Sequence, residues 1–290
     1  MRHPRVSRKA APALAGGPFP RLARDVLRRL CAMTDPLPPL VRLHGVRKTF
    51  SNGTLALDGV DLAVRQGEFL SLLGPSGCGK STALRLIAGL ATPSAGAVEW
   101  AGEARLGFVF QEPTLMPWRT VEANVRLPLQ IQGMRRGQAA PLVAEALRRV
   151  GLAGFERSYP RQLSGGMKMR VSIARALATR PGLLLMDEPF AALDEITRAR
   201  LNDDLLRLWQ TERLTIVFVT HSVYESVYLS SRIVVMAPRP GRVVADLAVQ
   251  PPIDRDETYR TTEAYARDCR AVSTALKAAM DQAPQPSHAA

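Results

Sequence analysis

Apolar positions along this chain fall into short runs and one clear helical stripe. From Val41 the segments VRLHGVRKTF and ALDGVDLAV read as short strands, with Asn52 and Gly53 between them. GEFLSLLG is a compact apolar run that enters a glycine-rich loop. In KSTALRLIAGL, residues Ala83, Leu84, Leu86, Ile87 and Leu90 fall on one helical stripe. AGAVEW and RLGFVF predict two more strands. Residues 119–162 change character: TVEANVRLPLQIQGM and AAPLVAEALRRVGL predict helices, with Gly151 suited to a C-terminal cap. RPGLLLMDEP and RLTIVFVTH return to buried strands, and RIVVMAP and RVVADLAV close a sheet. Near the end, TEAYARDCRAVSTALKAAM predicts a helix before a polar tail. The pattern is an α/β core with a mostly helical insertion, without an internal repeat.

Composition changes that picture little. The 290 residues are 46% hydrophobic and 22% charged, ordinary for one large domain or two modest ones. No run approaches the apolar length of a membrane span, so the expectation is a soluble chain or one held at a membrane by a partner. The three cysteines, Cys31, Cys78 and Cys269, show neither zinc spacing nor a disulfide framework, which points to a reducing cytosol. A net charge of +13 invites a nucleic-acid reading, but residues 1–35 alone contribute +6 of it. Residues 1–38 are expected to be a basic, disordered extension, and Met33 is a candidate translation start.

Candidate chemistry changes it more. Gly74, Pro75, Ser76, Gly77, Cys78, Gly79, Lys80 and Ser81 have the spacing G-x-x-x-x-G-K-S, followed by Thr82, between an apolar strand and a helix. Glycines let backbone N–H groups turn toward phosphate oxygens; Lys80 supplies charge, and the Ser81 hydroxyl can ligate Mg²⁺. Cys78 is expected to be there for its small size, although a thiol at a helix start can be unusually acidic. Asp187 and Glu188 end the strand LLLMDE, where ligands of parallel sheets collect. Asp187 suits the Mg²⁺ shell, and Glu188 can polarise an attacking water. His221 and Gln111 end two further strands and are candidates for the same site. LSGGMKMR, Leu163 to Arg170, raises a second phosphate seat: a serine and two glycines at a helix start, then two cations.

With these residues in order, the chain resembles the ATP-binding subunits of ABC transporters, from about Val41 to Val249. The resemblance places Phe50 where the family stacks an aromatic on adenine. Residues 74–81 are similar to Walker A, Gln111 to the Q-loop, and Ser164, Gly165 and Gly166 to the signature. Asp187 and Glu188 are similar to Walker B with its catalytic glutamate, Asp194 to the D-loop, and His221 to the switch histidine. It implies a P-loop fold for residues 39–250: a RecA-like core, an antiparallel β subdomain and a helical subdomain inserted at about 112–170. Residues 251–290 are left as a C-terminal helix and tail, too short for a regulatory domain. FQEPTLMPWRTVEANV, DEPFAALDEITR and VVMAPRPGR resemble the nitrate/sulfonate/taurine-type importer branch, and riboflavin or pyrimidine-precursor importers share this texture.

That resemblance implies ATP and Mg²⁺ as cofactors and a head-to-tail homodimer. Each ATP is then held between one chain's Lys80 loop and the other chain's Ser164. It also implies two membrane-spanning permease subunits, reached at the cytoplasmic face of the inner membrane. A periplasmic solute-binding protein follows indirectly, and no nucleic acid. EPTLMPW, Glu112 to Trp118, is the candidate docking edge. The competing reading is a soluble cassette acting on nucleic acid or ribosomes; one cassette without heptads speaks against it. Met169, Ala191 and Ser222 depart from common family residues without removing a group that the chemistry requires.

Overall fold

The computed structural model describes residues 39–252 and 255–281. The expected basic extension at 1–38, its candidate start at Met33 and the polar tail after 281 lie outside the described residues.

Two sheets form the frame. β1 (Pro39–Thr49) and β2 (Leu55–Arg65) pair antiparallel, and β4 (Ala95–Trp100) joins the other edge of β1, in the order β2-β1-β4. The larger sheet contains β3 (Phe69–Leu73), β5 (Leu106–Val109), β6 (Leu183–Asp187), β7 (Thr215–Thr220), β8 (Arg232–Ala237) and β9 (Arg242–Ala248). Its order is β5-β6-β7-β3-β8-β9; all neighbours are parallel except β8 with β9. Every residue of β3, β6 and β7 is buried, as their largely apolar sequences predict for the centre of a parallel sheet.

Strand alternation then assigns the two faces. Leu70, Leu72, Leu183, Leu185, Val217 and Val219 join a cluster with the small sheet and α1 (Lys80–Ile87). Phe69, Leu73, Leu184, Met186, Ile216 and Phe218 join the other cluster, with the remaining helices. These are α2 (Val121–Ile131), α3 (Arg136–Arg149), α4 (Gly165–Leu177), α5 (Glu195–Glu212), α6 (Val223–Leu229) and α7 (Glu263–Asp281). The expected stripe of α1 stops one turn early, because Leu90 is exposed beyond the helix end. α5 and α6 carried no sequence signal strong enough to be anticipated. Gly151, at φ 68, follows the end of α3 as its cap signal predicts. α7 is integral to the fold: Tyr265, Cys269, Val272 and Ala279 are buried in the helical-face core. No helix among the described residues is long and apolar enough to cross a membrane.

Candidate functional site

Parallel register gathers the site. Leu73 pairs with Thr220, and Asp187 pairs with Val219, so the carboxyl ends of β3, β6 and β7 lie side by side. The Gly74 loop, Glu188 and His221 all start from that edge. β5 pairs with β6 at Val109–Met186, which brings in Gln111 two residues on.

The loop after β3 is built by close approach. A Cβ on Gly74 would meet Cys78 Sγ and the Met236 carbonyl at 2.7 Å each. Gly79 sits at φ 91, where an added Cβ would lie 2.5 Å from Leu57 Cδ2. Lys80 opens α1 and is almost wholly buried. Its Nζ donates to the carbonyls of Gly74 at 2.8 Å and Pro75 at 3.0 Å, and lies 3.5 Å from Glu188 Oε1. Cys78 is fully buried in the apolar cluster with Leu57 and Met236. Burial pushes its thiol up, with Lys80 acting in the opposite sense, which runs against an unusually acidic thiol there.

Two contacts tie the acids to the loop. The Ser81 hydroxyl donates to Asp187 Oδ1 at 2.7 Å. Burial raises the Asp187 carboxyl from its ordinary value; the Ser81 bond works against that and the Glu188 charge with it. Glu188 adopts φ 45, a left-handed conformation rare for a residue with a side chain. Its N–H donates to the Val219 carbonyl at 3.1 Å, and its carboxylate lies between Lys80 and His221, with His221 Nδ1 at 3.4 Å from Oε2.

An open cavity of about 720 Å³ faces these groups, within the usual size of a small-molecule site. Ser76, Gly77, Gly79, Lys80, Ser81 and Thr82 line it, as do Phe50, Gln111 and Glu188. The Phe50 ring is 41% exposed, with the Lys48 ammonium 5.5 Å from its centroid. Thr54, Leu55, Ala56, Arg239 and Pro240 also line the cavity and were missed from sequence. The last two reach it because the β8–β9 turn crosses over to β2: Gly241 exchanges backbone bonds with Ala56 and Asp58 at 3.0 Å. PRPG was a turn signal, but nothing local says what a turn will touch.

The LSGGM segment is elsewhere. Ser164 caps α4, its Oγ accepting from Met167 N at 3.3 Å, and Ser164 and Gly165 are exposed. Gly166 is buried, and a Cβ there would meet Thr197 Cγ2 at 2.6 Å. Of the two cations that follow, Arg170 is engaged with Asp204 at 2.5 Å. None of Ser164, Gly165 and Gly166 lines the 720 Å³ cavity, and neither does Asp194. Asp194 caps α5 by accepting from Thr197 N at 2.9 Å, a bond that holds its carboxyl below the usual range. The unusual residues also have local reasons: Ser222 caps α6, and Met169 is buried in the core.

Comparison with known proteins fits this geometry. Residues 57–191 match the family described as ABC transporter. An aliphatic sulfonates import ATP-binding protein of Pseudomonas savastanoi is 46% identical over 74% of this chain and 89% of its own length. A taurine import ATP-binding protein of Yersinia pestis is 43% identical over 77% of this chain and 86% of its own. Among solved structures, a dimeric post-hydrolysis ATP-binding cassette bound to ADP and Pi superposes with a TM-score of 0.65. It is 34% identical, over 72% of this chain and 99% of that one. This chain therefore belongs to the ABC transporter family and is one of its ATP-binding, ATP-hydrolysing subunits.

Proposed function

We propose that the chain energises import of a small anionic solute, of the sulfonate, taurine or nitrate kind, and that its catalytic site is completed by a second copy. One observation carries the second point. Ser164 and Gly165 are exposed at the start of a helix, yet with the buried Gly166 they stand outside the cavity lined by Lys80, Ser81 and Glu188. A head-to-tail homodimer would bring one copy's Ser164 to the nucleotide on the other copy's Lys80, with Asp194 at the same seam. The dimeric cassette relative supports that reading.

Within one copy, Phe50 is placed to stack on the adenine, and the loop 74–82 to cradle the phosphates with Lys80 as their charge partner. Ser81 and Asp187, already 2.7 Å apart, fit a Mg²⁺ ion with Gln111 as the third group. When bound there, Mg²⁺ would supply positive charge against the negative charge developing on the phosphates. Glu188 is positioned as the general base toward water, and His221 orients it through the 3.4 Å contact.

Partners would be two permease subunits at the cytoplasmic face of the inner membrane, with a periplasmic solute-binding protein beyond them. A shallow groove of about 300 Å³ between β5 and α2, lined by Phe108, Phe110, Pro128 and Ile131, suits an apolar permease segment. Trp118, 73% exposed, ends the expected edge at Glu112 to Trp118.

The test is a mixed dimer. Ser164→Arg combined with Lys80→Ala should leave at most one intact composite site; full ATPase activity from Ser164→Arg alone in the assembled transporter would refute the shared site. Uptake of labelled taurine, alkanesulfonates, nitrate or pyrimidine precursors in a deletion strain tests the solute class.

A further inference from the structure

The turn between β8 and β9 reaches out of its own sheet to the nucleotide cavity. Gly241 N donates to the Ala56 carbonyl at 3.0 Å, and Asp58 N donates to the Gly241 carbonyl at 3.0 Å. The turn also presses on the phosphate loop. A Cβ on Gly241 would collide with the Cys78 carbonyl and lie 2.9 Å from the carbonyl of Ala56. Two elements therefore fix where the turn stands, and Arg239 and Pro240 become part of the cavity wall. Arg239 is held at φ 48, a left-handed conformation that residues with a side chain rarely adopt. Such conformations persist only where the surroundings enforce them, and they cluster at ligand clamps.

Two of the side chains lining this cavity are cations, Lys80 and Arg239. Lys80 is 4% exposed, donates to two loop carbonyls and lies 3.5 Å from Glu188 Oε1, so part of its charge is already answered. Arg239 is exposed and has no carboxylate partner among the described residues. A polyphosphate brings more negative charge than one partly neutralised ammonium can meet. The guanidinium is the free positive charge on the same wall, and it stays protonated at any working pH.

The two anchors of the turn select the phosphate. Ala56 follows Thr54, whose carbonyl accepts from Phe50 N at 2.9 Å, and so belongs to the Phe50 end of the wall. Cys78 stands two residues before Lys80, at the phosphate end. A turn seated on both lies between the base and the terminal phosphate.

We propose that Arg239 is a nucleotide-binding residue whose guanidinium pairs with the phosphate nearest the ribose, the one that ATP and ADP share; this rests on Phe50 and the loop 74–82 being the nucleotide seat. Arg239 then holds the nucleotide before and after hydrolysis and takes no part in the chemical step.

Equilibrium titration of the purified full chain with ATP and with ADP, each with Mg²⁺, tests this in the parent, Arg239→Gln, Arg239→Lys and Lys80→Ala. Arg239→Gln should weaken both nucleotides by similar factors of at least about threefold, the size of a charge contact partly screened by water. Arg239→Lys keeps the charge and should lie closer to the parent. Raised salt should narrow the gap between the parent and Arg239→Gln. In ATP hydrolysis, KM should rise in Arg239→Gln while kcat holds, the mark of binding energy spent equally on ground and transition states. Both Arg239 variants should keep the parent's melting temperature, because the side chain is exposed. Parent-like affinity in Arg239→Gln, with ATP lost in Lys80→Ala, overturns the proposal. So does Arg239→Lys binding as weakly as Arg239→Gln, which would make the contact a stacking one on the base. A loss confined to ATP also overturns it, by placing the contact at the terminal phosphate. Parent-like ATP binding by Lys80→Ala would instead refute the nucleotide seat itself, and the role of Arg239 with it.

Discussion

Gly166 separates two reasons for a glycine in the signature segment. A glycine at a phosphate seat keeps side chains out of the ligand's way. Here an added Cβ would instead meet Thr197 Cγ2, on α5, at 2.6 Å. Overpacking of that kind costs about 1–3 kcal/mol. Replacing glycine by alanine in a helix returns up to about 1 kcal/mol. Gly166→Ala should therefore lose about 0–3 kcal/mol of stability. Thr197→Ser removes the clashing methyl and keeps the hydroxyl, which with the Thr197 N–H stabilises the Asp194 carboxylate at the cap of α5. In Gly166→Ala/Thr197→Ser the clash is gone, and a double-mutant cycle should show a favourable coupling of about 1–3 kcal/mol. Urea unfolding of the four chains measures it, and each kcal/mol corresponds to about 2–4 °C in Tm for a domain of this size. Alanine keeps the N–H at position 166, so ATPase activity should return together with stability. Additive free energies would refute the packing explanation. Restored stability without restored ATPase would assign the glycine to the composite nucleotide site instead.

Three further outcomes follow from the same geometry. Glu188→Gln should lower kcat about 10²–10⁴-fold while ATP still binds, since the loop and Lys80 are untouched; parent-like hydrolysis in a single-turnover assay would remove Glu188 from the role of base. Cys78 and Cys269 are both buried, and burial pushes both thiols up from their ordinary value, so each forms the reactive thiolate less readily than an exposed cysteine and gains reactivity only as pH rises. Mass spectrometry after brief iodoacetamide treatment of the native chain should find Cys78 unmodified, and stoichiometric labelling there would contradict its burial. Ile131→Ser, on the groove between β5 and α2, should reduce solute uptake by the assembled transporter while the melting temperature of the chain holds, because that side chain is 77% exposed; unchanged uptake would move the permease contact elsewhere.

Much of the site was legible because its chemistry is local. The spacing from Gly74 to Ser81, the acids ending LLLMDE and the helix start at Ser164 depend on a few neighbouring residues and on backbone N–H groups those residues satisfy. The strands were legible for the same reason, since burial on both faces of a parallel sheet writes a largely apolar run. α5 was less visible: only Leu201, Asn202, Leu205 and Leu206 of its residues are buried, so its apolar stripe is thin.

What the sequence by itself determined is therefore the parts: a phosphate loop, strand-end acids and a capped helix that starts with glycine. Tertiary structure decided their company. Nothing in five apolar residues says which strand will be the neighbour, yet the order β6-β7-β3 is what brings Glu188 within 3.5 Å of both Lys80 and His221. Long-range packing alone carries Arg239 and Pro240 into the nucleotide cavity and leaves Ser164 outside it. Which groups meet across separate elements is a property of the assembled neighbourhood, so no local pattern could have announced it.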